Sequence, residues 1–276
     1  MLYGGTLFEH FGHLLVDLSR LYRLLTFFRR SREPIWFHYP AMLGHGNRIE
    51  NPLITSWLDC LGIRKRARVV TCTLHCEELV SSPVLYRDRC FVTADFPRVA
   101  RRALGRKLRR RLLALQREDN PIAYLSRHKL SSGTNSFEGE QEVVEALGKL
   151  GNVDVICPEE LSIEAKLSIY RRYRLVTGFV QAAMLLKYFA PTRQPGDLAE
   201  QLMLVAGPQS LNSNWVNLER AYRFGDQLLD CSLPADAHEL PDLIELGGPN
   251  QKSGFQRRHP FDVGLVIDQL RCLAER

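Results

Sequence analysis

Two histidines and an aspartate lie close together near the start of the chain, in the stretch GGTLFEHFGHLLVD. At about 100° per residue along a helix, His10, His13, Asp17 and Arg20 fall in one stripe roughly 80° wide. The pKa of histidine suits proton transfer near neutral pH, and a carboxylate one turn away can fix the tautomer of the ring. The spacing favours a general base over a solvated helix face, which would usually carry lysine and glutamate instead. A surface stripe remains the alternative interpretation.

A helix is the element that must carry this stripe. Gly4-Gly5 is a turn signal, and Thr6 with Glu9 three residues later fits a capping box that begins a helix. The pattern therefore predicts a helix from Thr6 with a buried, charge-lined stripe. Apolar residues fill the other side of this helix, namely Phe8, Phe11, Leu14, Leu15, Leu18, Leu21, Tyr22 and Leu25.

The composition is that of an ordinary globular protein, with 276 residues of which 45% are hydrophobic and 25% charged. No segment approaches about 18 uncharged apolar residues, so no membrane span is expected. Asp17 and Arg20 interrupt the only apolar run near the N-terminus, which argues against a signal peptide. The seven cysteines are scattered and odd in number, which predicts reduced thiols in a cytoplasmic protein and no metal site.

Positive charge is concentrated between Arg98 and Arg117, where nine of twenty residues are Arg or Lys. Read as one helix, this segment has an apolar stripe of leucines and a basic opposite side. The basic side is either simply solvated, or it contacts the anionic inner face of a membrane, a polyanionic acceptor or nucleic acid. Because no aromatic interleaving or nucleic-acid motif accompanies it, we expect no nucleic-acid partner.

The order of apolar runs and turn signals predicts an α/β protein. β-like runs at 34–39 and 67–73 alternate with helices, and REDNP at 117–121 is typical of a linker. Beyond it, strands alternate with helices of about 10–15 residues, which indicates a doubly wound parallel sheet. We therefore divide the chain into an N-terminal half, a second half, and a tail with a closing helix, at residues 1–118, 119–233 and 234–276.

Two loops of the second half carry groups that could bind a phosphate. SRHK (126–129) follows the first strand, and TGFVQ (177–181) joins a later strand to a helix. The carboxyl ends of parallel strands meet at one edge of a sheet, so these loops should converge. Gly178 would let backbone approach an anion at a helix N-terminus, and Arg127 and Lys129 would supply positive charge.

Several stretches together resemble glycosyltransferase family 61. GGTLFEHFGHLLVDLSRLY resembles its histidine motif, while SWLDCLGI, YLSRHKL and the stretch from Glu138 to Phe189 resemble its later segments. The family includes bacterial capsular polysaccharide biosynthesis proteins and eukaryotic xylosyl- and N-acetylglucosaminyltransferases. The resemblance implies two Rossmann-like domains of the GT-B type, the first being short or N-terminally truncated. It assigns the acceptor to the N-terminal half and the nucleotide-sugar to the second half.

The resemblance also implies an activity, namely metal-independent, inverting transfer of a sugar to a glycan or glycolipid acceptor in surface or capsular polysaccharide biosynthesis. No cofactor is expected besides the nucleotide-sugar substrate. His13 is the expected base, with His10 as the alternate and Asp17 orienting it. The expected substrate-binding residues are Arg127, Lys129, Glu140, Glu159, Gly178, Gln181 and Arg20, of which the two glutamates are equally interpretable as helix-start carboxylates.

Departures from the family pattern leave an alternative open. Gln181 stands where the family has a second glycine, and Val180 stands where the eukaryotic members carry histidine. A milder departure is Lys166, which stands where the family usually has glutamine. A bulkier residue at a helix N-terminus could narrow a phosphate cradle. The alternative is a catalytically degenerate member that binds a nucleotide-sugar or partner proteins.

Overall fold

The computed structural model describes residues 1–38, 50–87, 90–130, 135–194, 196–207, 210–211, 213–222, 226–233, 242–245 and 255–275. No helix within these ranges has the length and apolar character needed to cross a membrane. The strands are β1 (Leu2–Thr6), β2 (Ile35–His38), β3 (Ala67–Val69), β4 (Tyr86–Arg87), β5 (Phe91–Val92), β6 (Ile122–Leu125), β7 (Asn135–Phe137), β8 (Val153–Ile156), β9 (Leu175–Phe179), β10 (Glu200–Val205), β11 (Gln227–Asp230), β12 (Asp242–Glu245) and β13 (Phe255–His259).

The α-helices in the same ranges are α1 (Phe11–Asp17), α2 (Ser19–Phe28), α3 (Pro52–Leu61), α4 (Phe96–Ala103), α5 (Arg106–Leu113), α6 (Glu140–Gly148), α7 (Ile163–Arg172), α8 (Ser213–Tyr222) and α9 (Val263–Ala274). Short 3-10 helices cover Arg64–Arg66, Pro158–Glu160 and Ala182–Tyr188. The last of these lies where a helix was predicted after β9, and it is of the 3-10 type.

The chain begins with a strand where a turn was predicted, and the helix predicted from Thr6 begins only at Phe11. β1 pairs in parallel with β2, which pairs in parallel with β3, and Thr6 is the last residue of β1. Gly4 lies inside β1, where a Cβ would collide with the ring of Phe37 on β2. Gly4, which belongs to the predicted turn signal, therefore serves close packing between strands. The helical stretch that follows is also divided, because α1 ends at Asp17 and α2 begins at Ser19.

An aromatic cluster joins the N-terminal half to the second half. The ring of Phe189, from the second half, lies edge-on to the rings of Tyr22 and Trp57, with centroids 5.2 and 5.1 Å away. Phe96 completes the cluster at 5.8 Å from Phe189. The four rings are fully or almost fully buried, and the same apolar core continues into α7 and the sheet of the second half. The orientation of α2 is thereby fixed against the second half.

The basic segment forms two helices where one was predicted. α4 ends at Ala103 and α5 begins at Arg106, with extended backbone at Leu104 and Gly105 between them. The amide of Gly105 donates a 2.8 Å hydrogen bond to the carbonyl of Cys60 at the end of α3, a contact that a continuous helix would not allow. Of the four leucines in the predicted stripe, Leu104, Leu108 and Leu112 are buried, and Leu115 is partly buried.

The second half contains a five-stranded sheet in the order β8-β6-β9-β10-β11, and each of its described pairings is parallel. Numbered along the chain, this order is 2-1-3-4-5. Helix α7 packs on one face of the sheet, and α6 and α9 lie with the second apolar core on the other. The predicted mixed α/β fold with parallel strands is confirmed, whereas its division into two Rossmann-like GT-B domains stays a prediction.

Candidate active site

The strand order creates a switch point between β6 and β9, because the chain leaves β6 for one side of the sheet and continues from β9 on the other. In open α/β sheets such a switch point is where ligands bind, just beyond the carboxyl ends of the strands. The SRHK loop follows β6, and Gly178 and Gln181 lie at and just after the end of β9. The two predicted loops therefore meet at the switch point.

Gly178 and Gln181 both contact the last residue of β6. A Cβ on Gly178, whose φ is +142°, would collide with the carbonyl oxygen of Leu125. The side-chain amide of Gln181 donates a 2.8 Å hydrogen bond to that same oxygen and is buried. In the structure, Gln181 thus binds the protein backbone at the base of the switch point.

Glu140 fixes the loop after β6. This residue begins α6, and its Oε1 accepts hydrogen bonds from the hydroxyls of Tyr124 and Ser126, at 3.3 and 3.2 Å. A third bond, of 2.9 Å, comes from the backbone amide of Arg127. Burial raises the pKa of Glu140 above its usual range, although the hydrogen bonds oppose the shift. These contacts favour the interpretation of Glu140 as a buried helix-start carboxylate.

Arg127 is a largely buried cation at the switch point. One guanidinium nitrogen, Nη2, donates to the carbonyl of Asn135 at 3.0 Å. Its Nε is buried and has no hydrogen-bond partner within the described residues. Burial lowers the pKa of Arg127, and the carboxylates of Glu140 and Glu159 act in the opposite direction. A buried donor without a partner costs free energy, so an anion bound here would be stabilised.

Lys129 and Glu159 lie at the solvent-exposed side of this region. The ammonium of Lys129 donates to Oε1 of Glu160 at 3.2 Å, which raises the pKa of Lys129. Glu159 is exposed, and its carboxylate interacts electrostatically with Arg127 and Lys129. The two predicted cations thus differ: Arg127 is partly buried and its Nε lacks a hydrogen-bond partner within the described ranges, whereas Lys129 is exposed and ion-paired.

The histidine motif lies on and just before α1. His10 is the N-cap residue of α1, and its ring centroid is 5.1 Å from that of His13. Nδ1 of His13 donates to Oδ2 of Asp17 at 3.1 Å, one helical turn later. This pairing of a ring with a carboxylate is the predicted one, and it orients the imidazole and selects its tautomer.

The predicted burial of the stripe is wrong. His10 is exposed, and the side chains of His13 and Asp17 are 45% and 24% exposed. The interruption of the helix at Leu18 also separates Arg20 from the histidines, and its guanidinium reaches Ser81 at 3.5 Å instead. The apolar residues of α1 and α2 are buried in the core, and the histidines therefore lie at the surface of the N-terminal half.

Helix α1 packs on the segment that follows β9, which brings the two predicted groups of residues into neighbouring positions. A Cβ on Gly12 would lie 3.4 Å from the Cβ of Ala182, the residue after Gln181. The ammonium of Lys166, on α7, lies 4.8 Å from the centroid of the Phe11 ring. The first turn of α1 therefore adjoins the switch-point edge of the second half.

Other polar residues of the two sheet edges were missed in the sequence. The hydroxyl of Ser126 lies 2.6 Å from Nδ1 of His128 in the loop after β6. At the carboxyl ends of β1 and β2, the ring of His38 lies between the hydroxyls of Tyr3 and Thr6, at 2.5 and 2.9 Å. The residue spacing carries no signal for these contacts, because Tyr3 and Thr6 are far from His38 in the chain.

Glycosyltransferase 61 is the protein family whose model matches this chain, over residues 11–194. The match covers more than half of the chain and includes His13, Asp17 and both switch-point loops. Among curated proteins, none matches the chain. Within the described residues, no three side chains of His, Cys, Asp or Glu are grouped as ligands for a metal ion.

Proposed function

The chain belongs to glycosyltransferase family 61 and is therefore a glycosyltransferase, and we propose that it is an inverting enzyme with a nucleotide-sugar donor. The acceptor is a glycan or glycolipid, in the biosynthesis of a surface or capsular polysaccharide. The GT-B type of architecture, with two Rossmann-like domains, is part of the same proposal. So is a cytoplasmic location.

One structural relationship carries the proposal. At the switch point between β6 and β9 lies the partly buried guanidinium of Arg127, whose Nε has no hydrogen-bond partner in the described part of the chain, and the helix with the His13–Asp17 pair packs beside it. A parallel sheet of this order is suited to bind a nucleotide beyond the ends of its strands. A nucleotide-sugar bound there would place its sugar toward α1, where an acceptor hydroxyl could meet it.

The proposed reaction is a single displacement at the anomeric carbon. His13 takes the proton of the acceptor hydroxyl through Nε2, since Nδ1 is bonded to Asp17. The hydroxyl oxygen forms the new bond to the anomeric carbon as the bond from that carbon to the phosphate oxygen breaks. The electron pair leaves with the nucleoside diphosphate. Attack opposite the leaving group inverts the configuration at the anomeric carbon.

The leaving diphosphate gains negative charge in the transition state, and we assign its stabilisation to side chains and not to a metal ion. Arg127 is the principal group, because its charge lies at the switch point and its Nε has no hydrogen-bond partner among the described residues. Preorganised donors in a partly dehydrated site stabilise developing charge more than water does. Lys129 and Glu159, at the exposed edge, would contact the distal part of the donor.

The basic segment supports a further part of the proposal, peripheral contact with an anionic membrane. The guanidinium of Arg29 donates to the carbonyls of Arg102 and Ala103 at the end of α4, at 2.7 and 2.5 Å. Burial lowers the pKa of Arg29, and the charges of Arg106 and Arg109 lower it further. Positive charges that lie this close together are stabilised by an anionic surface, where an acceptor glycolipid would also be found.

A thermal-shift screen of UDP, GDP, CDP and ADP tests the donor site. The nucleoside diphosphate of the true donor should raise the free energy of unfolding by about 2.7 kcal/mol at a hundredfold excess over its Kd. The shift should be equal in Mg²⁺ and in EDTA. A strict requirement for a divalent cation would overturn the metal-independent mechanism.

Transfer is then measured with the radiolabelled sugar nucleotides of whichever base binds. Binding followed by sugar transfer supports the proposed activity. A product whose anomeric configuration is opposite to that of the donor establishes inversion. Binding without transfer or hydrolysis of any donor would favour the degenerate alternative. An absence of binding to all four diphosphates would overturn the proposed donor site.

A further inference from the structure

Lys166 joins the second half of the chain to the histidine-bearing helix. It lies on α7, and its Nζ is 4.8 Å from the centroid of the Phe11 ring on α1. A cation over the face of an aromatic ring is held in a defined position. Phe11 directly follows His10, so this ammonium lies beside the histidine motif.

The ammonium of Lys166 differs from that of Lys129. Lys129 is exposed and donates to Glu160, so its charge is already balanced. Lys166 is partly buried, and within the described residues its ammonium has neither a hydrogen bond nor an ion pair of 4 Å or less. Burial lowers its pKa, and the more distant carboxylate of Glu159 opposes this shift. A partly dehydrated cation without a bonded anion is destabilised, and a bound anion would compensate it.

Lys166 and Arg127 lie at the same edge of the five-stranded sheet, because β6 and β8 pair in parallel, the Arg127 loop follows β6, and Lys166 lies in the first turn of α7, which follows β8. The carboxylate of Glu159 interacts electrostatically with both, although the two cations come from different elements, the loop after β6 and helix α7. This is the edge of the sheet at which the switch point between β6 and β9 opens. Two cations at one edge of the sheet, from different elements, are suited to a ligand with two linked anionic groups.

We propose that Lys166 is a second cation for the diphosphate of the donor, in addition to Arg127, an inference that rests on the proposed function. When the bond between the anomeric carbon and the phosphate oxygen breaks, the electron pair passes to the diphosphate, whose negative charge rises by one. The ammonium of Lys166 stabilises that charge. Because the resemblance to the family places glutamine at this position, the lysine adds a positive charge that such a neutral residue lacks.

Calorimetric titration of Lys166→Met tests the inference, since methionine keeps much of the apolar stem but removes the charge. The probes are the nucleoside diphosphate that stabilises the wild type, the corresponding nucleoside, and inorganic pyrophosphate. Lys166→Met should weaken binding of both diphosphates by about tenfold or more and leave nucleoside binding unchanged. Lys166→Arg should retain most of the affinity. The control is Lys149→Met, an exposed lysine at the end of α6, which should bind as the wild type does.

The outcomes separate this inference from the proposed function. Unchanged diphosphate affinity in Lys166→Met, with a wild type that binds, would overturn the role of Lys166 and leave the donor site standing. An equal loss of nucleoside and diphosphate affinity would show a packing role and would also overturn the inference. A wild type that binds neither pyrophosphate nor any of the four nucleoside diphosphates would overturn both.

Discussion

The side-chain amide of Gln181 donates a 2.8 Å hydrogen bond to the carbonyl oxygen of Leu125, and this bond joins the ends of the two strands that flank the switch point. Leu125 ends β6 and directly precedes the SRHK loop, while Gln181 follows β9. Helix α1 packs on the 3-10 helix that follows Gln181. The position of Arg127 relative to that 3-10 helix therefore depends on a contact between two residues that are 56 positions apart.

Gln181→Ala should destabilise the protein, because the buried carbonyl of Leu125 would lose its donor. We expect the free energy of unfolding to fall by about 1–3 kcal/mol. Urea denaturation at neutral pH measures this change. Gln116→Ala is the control, since Gln116 is exposed and should change the free energy little. Equal stability of the two variants would contradict the role of Gln181 as a buried connection.

Glu140 should make stability depend on pH in a direction unusual for a carboxylate. Its pKa is raised by burial, so the folded protein holds a proton that the unfolded chain releases near the ordinary value of 4.5. The free energy of unfolding therefore falls as pH rises from 4.5 through the folded-state pKa. Glu140→Gln keeps an acceptor oxygen but has no carboxyl group to titrate at this position. The free energy of unfolding of Glu140→Gln minus that of the wild type should therefore increase as pH rises from 4.5 through the folded-state pKa of Glu140.

Denaturation curves of the wild type and Glu140→Gln at a series of pH values measure this difference. Glu140→Ala is the comparison, because it leaves the hydroxyls of Tyr124 and Ser126 and the amide of Arg127 without their acceptor. It should lose at least about 1 kcal/mol at every pH. A difference between wild type and Glu140→Gln that does not change with pH would contradict the raised pKa.

The fold was predictable where a single stretch of sequence determines a single element. The apolar runs that became β6 and β9 were predicted as strands, and the alternation of strands and helices predicted a parallel sheet. β1 was missed because its glycine pair matches a turn. Gly4 is required there by the ring of Phe37, which belongs to the next strand. A contact with another strand cannot be read from the residues around Gly4.

The candidate site was predictable to a similar extent. The rule that parallel strands share a carboxyl edge was enough to bring the loops of Arg127 and Gly178 together, and helical spacing was enough to pair His13 with Asp17. The contact of Lys166 with Phe11 was not predictable, because it depends on how α1 packs against α7. Contacts between elements follow from tertiary packing, which spacing along one element does not encode.

The basic cluster at the start of α5 should bind anionic vesicles. Arg106→Gln with Arg109→Gln removes two charges near Arg29, and each basic residue close to an anionic surface contributes about 1 kcal/mol to binding. We therefore expect sedimentation with phosphatidylglycerol vesicles to weaken by about tenfold or more. Neutral phosphatidylcholine vesicles should bind neither protein.

The control for the vesicle experiment is Arg174→Gln with Arg257→Gln, two exposed arginines outside the basic segment. This variant has the same net charge as the test variant, so it separates a local surface from total charge. If both variants lose vesicle binding equally, or if the wild type does not bind anionic vesicles at low salt, membrane contact through this segment is wrong.

His13→Ala should separate catalysis from nucleotide binding. His13 lies on α1 in the N-terminal half and is bonded to Asp17, whereas Arg127 lies at the switch point of the second half. Removal of a positioned base should lower turnover by roughly 10²–10⁴-fold. Nucleoside diphosphate affinity should stay near that of the wild type, because the imidazole is assigned to the acceptor. Its side chain is 45% exposed, so the melting temperature should change little.

Asp17→Asn and His75→Ala complete the measurement. Asparagine can keep the contact with Nδ1 but cannot stabilise an imidazolium by charge, so the pH profile of turnover should shift while the nucleotide Kd does not. His75 is an exposed histidine that this mechanism does not use, and its replacement should leave transfer unchanged. A His13→Ala protein that folds and transfers sugar at the wild-type rate would exclude His13 as the base. In that case His10, whose ring centroid lies 5.1 Å from that of His13, becomes the residue to replace next.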